Sequence, residues 1–347
     1  MKLSDFDFQL PDELIAQSPS PQRGESRLLV LDRTTQTIEH TSFSDLPHYL
    51  KERPVMVFND TRVLPAKLEG TTGKLGKNIE VLLVKEEEPG VWQALMKDLK
   101  KYKPGQQLLF GDGTLEAEFV ARKDDLGLIR FPFNPDVKDQ LDKFGKMPLP
   151  HYIHRSSDDD ADTNQQDRER YQTVFARNTG AIAAPTAGLH FTGNMLDQLT
   201  DCAEPVYLTL HVGPGTFQPV RDEDIRKHQM MKEYFNIPVP TWDVLLKAKT
   251  ENRKIMAVGT TATRVLESVE LTREEKNDVT GWTDRFIYPG QTFKNTDHLL
   301  TNFHLPKSTL YMLVCTLAGP SLIQKAYQEA IQKKYRFFSY GDAMLIL

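Results

Sequence analysis

Residues 254–269 read KIMAVGTTATRVLESV, and this stretch indicates the class of the fold. An apolar strand pattern over residues 254–258 runs into Gly259, Thr260 and Thr261, and a helical pattern continues to residue 269. Strand and helix patterns alternate in the same way along most of the chain. The alternation predicts an α/β fold in which a mostly parallel sheet is covered by helices on both faces.

The turn between that strand and helix is a candidate binding element. Backbone N–H groups and hydroxyls at the start of a helix can hold an anion or a ribose, so Thr260 and Thr261 are candidate substrate-binding residues. The alternative is that the threonines only cap the helix.

Between residues 65 and 147 the pattern changes to short strands separated by turn residues. The strands are predicted at 79–85, 91–97, 106–110, 115–122 and 126–133. Strands at this spacing, without helices between them, indicate an antiparallel β-barrel or β-sandwich. The chain is therefore predicted to contain a discontinuous α/β domain, residues 1–64 and 148–347, into which a barrel-like domain, residues 65–147, is inserted.

Local patterns predict the remaining elements. Helices are expected at 44–51, capped by Ser44, and at 136–144, 168–176 and 221–231. A strand is expected at 285–288 and a mobile acidic loop at 156–166.

Length and composition limit the class of protein. The 347 residues are 39% hydrophobic and 26% charged, which is typical of a soluble globular protein. The sequence has no apolar run of membrane-spanning length and no signal-peptide core, so the cytoplasm is the expected compartment. Cys202 and Cys315 form neither a disulfide framework nor a metal motif, and His151 and His154 lack an obvious third ligand, so no metal is expected. We also expect a monomer.

Two loops rich in small residues each carry a histidine. The first reads GAIAAPTAGLHFT over residues 180–192 and contains His190; the second reads LTLHVGPGTF over residues 208–217 and contains His211. Small side chains let a ligand approach the backbone, so we interpret the loops as neighbouring walls of one pocket. Both histidines can move protons near neutral pH, although both follow leucines and could instead be core residues.

A third polar cluster follows the apolar strand pattern at 55–58. It consists of Asn59, Asp60, Thr61 and Arg62. Polar residues at the carboxyl end of a strand commonly contact ligands in α/β folds, whereas Asn and Asp also form turns. Because glycine-rich nucleotide motifs, zinc motifs and nucleophile motifs are missing from the sequence, these clusters predict proton transfer on a polar organic substrate.

Longer motifs reveal a resemblance to a known family. They are SRLLV at 26–30, FNDTRV at 58–63, YQTVF at 171–175, and the stretches 183–192, 209–220, 257–261, 301–306 and 336–346. In this order they resemble the S-adenosylmethionine:tRNA ribosyltransferase-isomerase family of queuosine biosynthesis. Two positions depart from the expected pattern, because Met231 stands where a second histidine is expected and Lys67 stands where an arginine is usual.

The resemblance implies a specific reaction. S-adenosylmethionine is consumed as a ribosyl donor, and its ribosyl group is transferred to 7-aminomethyl-7-deazaguanine at the wobble position of tRNA and isomerised. The products are epoxyqueuosine, adenine and methionine, and no metal is implied. The alternatives are an S-adenosylmethionine-dependent RNA methyltransferase and a non-catalytic tRNA-binding relative, for which Met231 is the one indication.

The implied reaction suggests roles for the candidate residues. A base must remove a C5′ hydrogen beside the sulfonium, and His190 or His211 is the expected base, with Asp342 orienting a base or a hydroxyl. Asp60 and Arg62 would fix polar substrate groups. The expected substrate-binding residues are Asn59, Thr61, Thr186, Gly188, Gly213, Gly215, Thr216, Phe217, Thr260, Thr261 and His304.

A tRNA substrate also needs a basic surface, although the net charge is −5. Two clusters are predicted to contact its phosphates. They are Lys97, Lys100, Lys101 and Lys103 in the β domain, and Lys333, Lys334 and Arg336 near the C-terminus.

Overall fold

The computed structural model describes residues 1–73, 76–132, 137–155, 161–217 and 220–347, without the side chains of residues 138, 161, 216 and 217. Its strands are β1 (Arg27–Asp32), β2 (Thr37–Ser42), β3 (Val55–Asn59), β4 (Thr61–Val63), β5 (Lys67–Thr71), β6 (Asn78–Glu88), β7 (Val91–Met96), β8 (Gln106–Phe110), β9 (Leu115–Lys123), β10 (Leu126–Arg130), β11 (Asn178–Ala181), β12 (Glu204–Leu210), β13 (Glu233–Ile237), β14 (Ile255–Val258), β15 (Val279–Thr283), β16 (His298–Asn302) and β17 (Ala343–Ile346). Its helices are α1 (Val137–Phe144), α2 (Ala161–Arg170), α3 (Gly193–Cys202), α4 (Val239–Thr250), α5 (Thr260–Leu266), α6 (Thr309–Ala318) and α7 (Pro320–Gln332).

The larger sheet has the strand order β15-β13-β12-β3-β14-β16-β17-β1-β2. The centre β12-β3-β14-β16 and the pair β17-β1 are parallel, whereas the pairings at both margins and between β16 and β17 are antiparallel. The predicted α/β class is confirmed. The sheet is more mixed than expected because antiparallel strands extend both margins and β16 and β17 are antiparallel within it.

Helices cover both faces of this sheet, as predicted. Along β3, Val55 and Val57 face the core formed with α4, α5, α6 and α7, and Met56 and Phe58 face the core formed with α3 and the 3-10 helix Phe43–Tyr49. Side chains alternate across a strand, so one buried strand supplies both cores.

The inserted β structure is a closed barrel with the order β10-β7-β6-β5-β8-β9. Its own core includes Leu68, Val81 and Phe110. The chain leaves the large sheet after β3 and rejoins it at β12. Between them, β11 pairs in parallel with β4 in a separate two-stranded sheet. The boundaries of the insert at residues 65–147 stay a prediction.

The small-residue stretch 180–192 lies where the cores meet. Ala183 packs in one sheet core, Ile182 in the barrel core, Ala187 in the second sheet core and Leu189 in a fourth cluster. The expectation of an open surface here is wrong, because small residues are needed where four packed groups converge. Glycine is needed at position 188 because an added Cβ would lie 2.7 Å from the Phe175 ring. Its backbone φ is not positive, so close packing and not backbone conformation is the reason.

Several local predictions are wrong. The helix expected at 44–51 is a 3-10 helix, Phe43–Tyr49, which begins after Ser42, whose N–H donates to the Asp45 carboxylate. The helix expected at 168–176 is instead α2, which spans residues 161–170 and so begins within the predicted acidic loop. Residues 156–160 of that loop lie outside the described residues.

Two further assignments are corrected near the sheet margin. The helix expected at 221–231 is only a 3-10 turn, Ile225–Lys227, because the Asp224 side chain turns back onto the N–H of Arg226. The strand expected at 285–288 is not formed, and β15 is paired with β13 instead. Residues 133 and 136, at the ends of a predicted strand and helix, lie outside the described residues.

Candidate functional site

The carboxyl ends of β3 and β12 are joined by the side chain of Asn59. Its amide oxygen accepts from the N–H of Leu210 (2.9 Å), and its nitrogen donates to the Leu210 carbonyl (3.0 Å) and to the Thr261 hydroxyl (3.1 Å). Asn59 is 1% exposed, so these bonds satisfy a buried amide. The predicted substrate residues Asn59 and Thr261 are thus brought together, and they fix two strands to the start of α5.

Asp60 lies beside this junction in a polar triangle. Its carboxylate accepts from the Thr209 hydroxyl (2.7 Å) and from the Asn178 side-chain nitrogen (3.1 and 3.2 Å), and Asn178 also donates to Thr209 (2.8 Å). These hydrogen bonds hold the carboxylate in one orientation. They also satisfy its polar atoms, since Asp60 is only 5% exposed. Sequence reasoning missed Asn178 and Thr209. Thr209 could have been found because it lies two residues before His211, on the same side of the strand pattern that ends β12.

His211 lies next to Asp60 and is held on several sides. Its Nδ1 shares a hydrogen bond of 2.8 Å with the Thr61 hydroxyl, and its ring stacks on Tyr234 at 5.9 Å between centroids. The imidazole also lies against Gly180, where an added Cβ would stand 2.7 Å from Nε2. Sequence reasoning missed the contact residue Tyr234, which follows an acidic residue in a short strand pattern.

The electrostatics of this centre favour a neutral imidazole. Burial lowers the pKa of His211 below its ordinary value of 6.5, and the nearby Asp60 carboxylate opposes that shift. The Thr61 hydroxyl can donate to the Asn178 carbonyl (3.4 Å) and accept from Nδ1–H, an arrangement that leaves the lone pair on Nε2. His211 can therefore accept a proton near pH 7, and Asp60 stabilises the cation that results.

The glycine turn after His211 is fixed by a buried ion pair. The Gly213 N–H donates to Glu233 (2.8 Å), and Glu233 pairs with Arg264, which also donates to the Arg285 carbonyl (3.1 Å). Glu233 and Arg264 are 3% and 5% exposed and were not identified from sequence, where an isolated charge gives no sign of burial.

Met231 also contacts this turn. A Cβ added at Gly215 would lie 3.2 Å from the Cβ of Met231. The Met231 side chain is 37% exposed. The residue that departs from the expected family pattern therefore borders the turn Pro214–Phe217. The side chains of Thr216 and Phe217, also predicted to bind substrate, lie outside the described residues.

His190 belongs to a different cluster. Its Nδ1 bonds to the Ser26 hydroxyl (2.9 Å), and its ring stacks on Phe43 at 4.9 Å between centroids. Burial lowers the pKa of His190 to about 4, against the opposing effect of the Asp342 carboxylate. Within the described part of the chain, no hydrogen bond or ring contact joins His190 to His211, so the structure does not bring the two predicted bases together.

Asp342 ties the first strand to the C-terminal segment. Its carboxylate accepts from the backbone N–H of Arg27 (3.0 Å), from the Arg27 guanidinium (3.1 and 2.9 Å) and from the Arg336 N–H (2.8 Å). These donors use the carboxylate fully. Asp342 also lies near His190, since its charge raises the pKa of that imidazole against the effect of burial.

The remaining predicted pocket residues are dispersed. His304 is buried, its Nε2 bonds to Thr301 (2.9 Å), and burial lowers its pKa to about 3. Thr260 is buried, Thr186 is half-buried and Arg62 is exposed on β4. The His304 N–H donates to the Tyr327 hydroxyl of α7 (3.0 Å), and the role of His304 in lining the pocket stays a prediction.

The predicted phosphate-binding residues lie on separate surfaces. Lys97, Lys100, Lys101 and Lys103 are exposed on the barrel, and Lys333 and Lys334 are exposed beyond α7. Arg336 is half-buried and donates to the Ser18 carbonyl.

A cleft of about 1360 Å³ separates the barrel from the segment that follows α1. Its lining includes six cations, Lys67, Lys77, Lys97, Lys101, Lys146 and Arg155, against four carboxylates, Glu69, Glu80, Asp98 and Asp167. Met147 and Ile153 of its wall pack in the same cluster as Val63 of β4. The cleft therefore adjoins the strand whose first residue, Thr61, holds His211.

The described residues contain neither a metal-binding cluster nor a membrane-spanning helix. No group of three or more His, Cys, Asp or Glu side chains in the described ranges is placed to hold a metal ion. Among the helices described above, none is long and apolar enough to cross a membrane.

The fold and site define an α/β protein with an inserted barrel and a half-buried imidazole beside a buried carboxylate. The chain belongs to the queuosine biosynthesis protein family, whose model matches residues 3–346. It is similar to proteins named S-adenosylmethionine:tRNA ribosyltransferase-isomerase, with 46% identity to that of Halothermothrix orenii and 48% to that of Desulfitobacterium hafniense, each over 100% of both chains. It is also similar to the crystal structure of S-adenosylmethionine tRNA ribosyltransferase from Thermotoga maritima, with 33% identity, a TM-score of 0.55 and coverage of 99% of this chain and 100% of that one. The family resemblance predicted from the motifs is confirmed.

Proposed function

We propose that this protein transfers the ribosyl group of S-adenosylmethionine to 7-aminomethyl-7-deazaguanine at the wobble position of tRNA and isomerises it to give epoxyqueuosine. Adenine and methionine are the released products. Relatives named S-adenosylmethionine:tRNA ribosyltransferase-isomerase are 45–48% identical over the full chain. The structural observation that carries the proposal is the neutral, oriented imidazole of His211 beside the fixed carboxylate of Asp60.

His211 is the proposed base. The sulfonium of S-adenosylmethionine acidifies the adjacent C5′ hydrogens, and a neutral imidazole whose pKa is lowered by burial is unprotonated at pH 7. Thr61 holds Nδ1 and thereby leaves Nε2 to take the hydrogen as a proton. Asp60 stabilises the imidazolium that forms, and Thr209 and Asn178 keep its carboxylate in place.

We assign His190, Asp342 and His304 to holding the fold. Each is buried and bonded within a cluster that shares no described hydrogen bond with Asp60 or His211. Arg62 is exposed beside the centre and is proposed to fix a polar group of the substrate.

The tRNA backbone is proposed to enter through the cleft between the barrel and residues 146–155. Lys97 and Lys101 line this cleft, whereas Lys100 and Lys103 are exposed on the same barrel. Reversing Lys97 and Lys101 to glutamate should weaken tRNA binding and reduce its salt dependence, because each lost phosphate contact removes about one released counterion. The pair Lys333→Glu and Lys334→Glu tests the second predicted surface, and an unchanged salt slope removes that surface from the account.

The protein is further proposed to act as a monomer in the cytoplasm and without a metal. Light scattering at working concentration tests the first point. Full turnover after exhaustive chelation tests the last, and loss of turnover that is restored by a divalent cation would refute it.

A product assay tests the reaction. The protein is incubated with S-adenosylmethionine and tRNA bearing the aminomethyl-deazaguanine, and adenine, methionine and the mass of the tRNA are followed. Release of adenine and methionine in equal amounts, with a matching gain of tRNA mass, is the expected result. S-adenosylhomocysteine as product would identify a methyltransferase, and binding of tRNA without turnover would identify a non-catalytic relative.

A further inference from the structure

The sheet margin next to His211 carries an exposed tryptophan. Trp282 of β15 is 53% exposed, whereas Trp92 and Trp242 are each 3% exposed. A single exposed ring is ordinary on a protein surface, so its meaning depends on the groups beside it. Its position in the sheet connects it with the centre described above.

Trp282, Tyr234 and His211 form a continuous aromatic row. Tyr234 and Trp282 are directly opposite in the β13–β15 pairing, and their ring centroids lie 5.7 Å apart. Tyr234 in turn stacks on His211 at 5.9 Å. The next residue, Phe235, points to the opposite face and into the core, so the row lies on the face turned away from that core.

One cation contacts this row at its Trp282 end, and two arginines lie near its His211 end. The Lys85 ammonium of the barrel lies 4.9 Å from the centroid of the Trp282 indole. Arg177 and Arg62 are exposed near the other end, where the Arg177 N–H donates to the Asp60 carbonyl (2.8 Å) and Arg62 is opposite Thr179 in the β4–β11 pairing. Exposed aromatic rings flanked by cations are the elements with which proteins bind unpaired nucleotides, because the rings stack on bases and the cations contact phosphates.

We propose that Trp282 is the stacking platform for the unpaired tRNA base adjacent to the base being modified. Tyr234 connects the platform to His211. The stacked base displaces the Lys85 ammonium from the indole, and Lys85 then contacts the phosphate of that nucleotide. The proposal rests on the proposed tRNA substrate. It adds that this face recognises a neighbouring base by its aromatic surface, which places the target base at His211.

The test uses the full chain and an anticodon stem–loop RNA carrying the aminomethyl-deazaguanine. Trp282→Ala should weaken RNA binding roughly 5- to 150-fold, the range for loss of one stacked base, and leave KM for S-adenosylmethionine unchanged. Trp282→Phe should retain most of the affinity. Lys85→Met should reduce the slope of log affinity against log salt by about 0.7 to 0.9, whereas Trp282→Ala should leave that slope unchanged. Val174→Ala, at a residue that is 48% exposed, is the matched control and should have no effect.

A second pair of RNAs identifies the stacked nucleotide. Each has an abasic site on one side of the target base, and the cost of Trp282→Ala should disappear with one of the two. The proposal is overturned if Trp282→Ala binds and modifies RNA as the unaltered protein does, or if its cost persists with both abasic RNAs. It is also overturned if the variant changes the oligomeric state, since Trp282 would then be a contact between copies. If the unaltered protein neither binds nor modifies RNA, the proposed function itself fails.

Discussion

Replacing Gly180 by alanine should damage the catalytic centre without unfolding the protein. An added Cβ at Gly180 would lie 2.7 Å from Nε2 of His211 and 2.8 to 2.9 Å from two of its ring carbons. Ordinary van der Waals contact begins at 3.4 Å, so the imidazole must move by about 0.7 Å. The Thr61 hydrogen bond and the Tyr234 ring restrict that movement on other sides.

The expected cost follows from the displacement. A misplacement of about 1 Å at a reacting group can lower a rate by about 100-fold, so Gly180→Ala should reduce kcat by roughly 30- to 100-fold. The melting temperature should fall by only a few degrees, because the displaced ring is partly exposed and can shift. Adenine release under saturating substrates measures kcat, and thermal unfolding measures the fold.

Gly193→Ala is the matched control. Gly193 begins α3, and no atom stands within 4 Å of its added Cβ. The control should retain the activity of the unaltered protein. The reasoning is refuted if Gly180→Ala keeps full kcat, or if Gly193→Ala loses activity to the same extent.

Two other changes test the electrostatics. Asp60→Asn should lower kcat by about 100-fold and shift the acidic limb of its pH profile downward, because Asp60 raises the pKa of His211; an unmoved limb would contradict this reasoning. His304 has a folded-state pKa of about 3 against an ordinary value of 6.5, so its contribution to stability is complete above pH 6.5 and is lost as the pH falls toward 3. Over that interval the loss amounts to roughly 4 kcal/mol, and His304→Gln should flatten the pH dependence of the unfolding free energy; an equally steep dependence in the variant would place the acid sensitivity elsewhere.

Much of the fold follows from patterns within the sequence. The strand pattern ending at Val258 and the helix pattern beginning at Thr260 predict the α/β sheet. The helix-free stretch beyond Pro65 predicts the barrel. Both predictions are possible because periodicity is a local property of the sequence. The small residues from Gly180 to Thr192 predict an open surface, and this prediction is wrong because sequence does not show that four cores converge there.

The site could be predicted only in part for a related reason. Asp60, Thr61 and His211 were identified, since polar residues at strand ends stand out in an apolar context. Their partners Asn178 and Tyr234 come from other strands, and their roles depend on pairings that sequence alone does not reveal. His190 has the same local context as His211, and only its burial against Phe43 distinguishes it.

The claim that His211 and not His190 takes the first proton has a direct test. S-adenosylmethionine bearing two deuterium atoms at C5′ is supplied to the unaltered protein, to His211→Gln and to His190→Gln, and deuterium in the product tRNA and in solvent is measured by mass spectrometry. The account predicts loss of deuterium to solvent with the unaltered protein and with folded His190→Gln, and none with His211→Gln. Loss of deuterium at the unaltered rate by His211→Gln would contradict it, and abolition by His190→Gln at an unchanged melting temperature would assign the base to the other cluster.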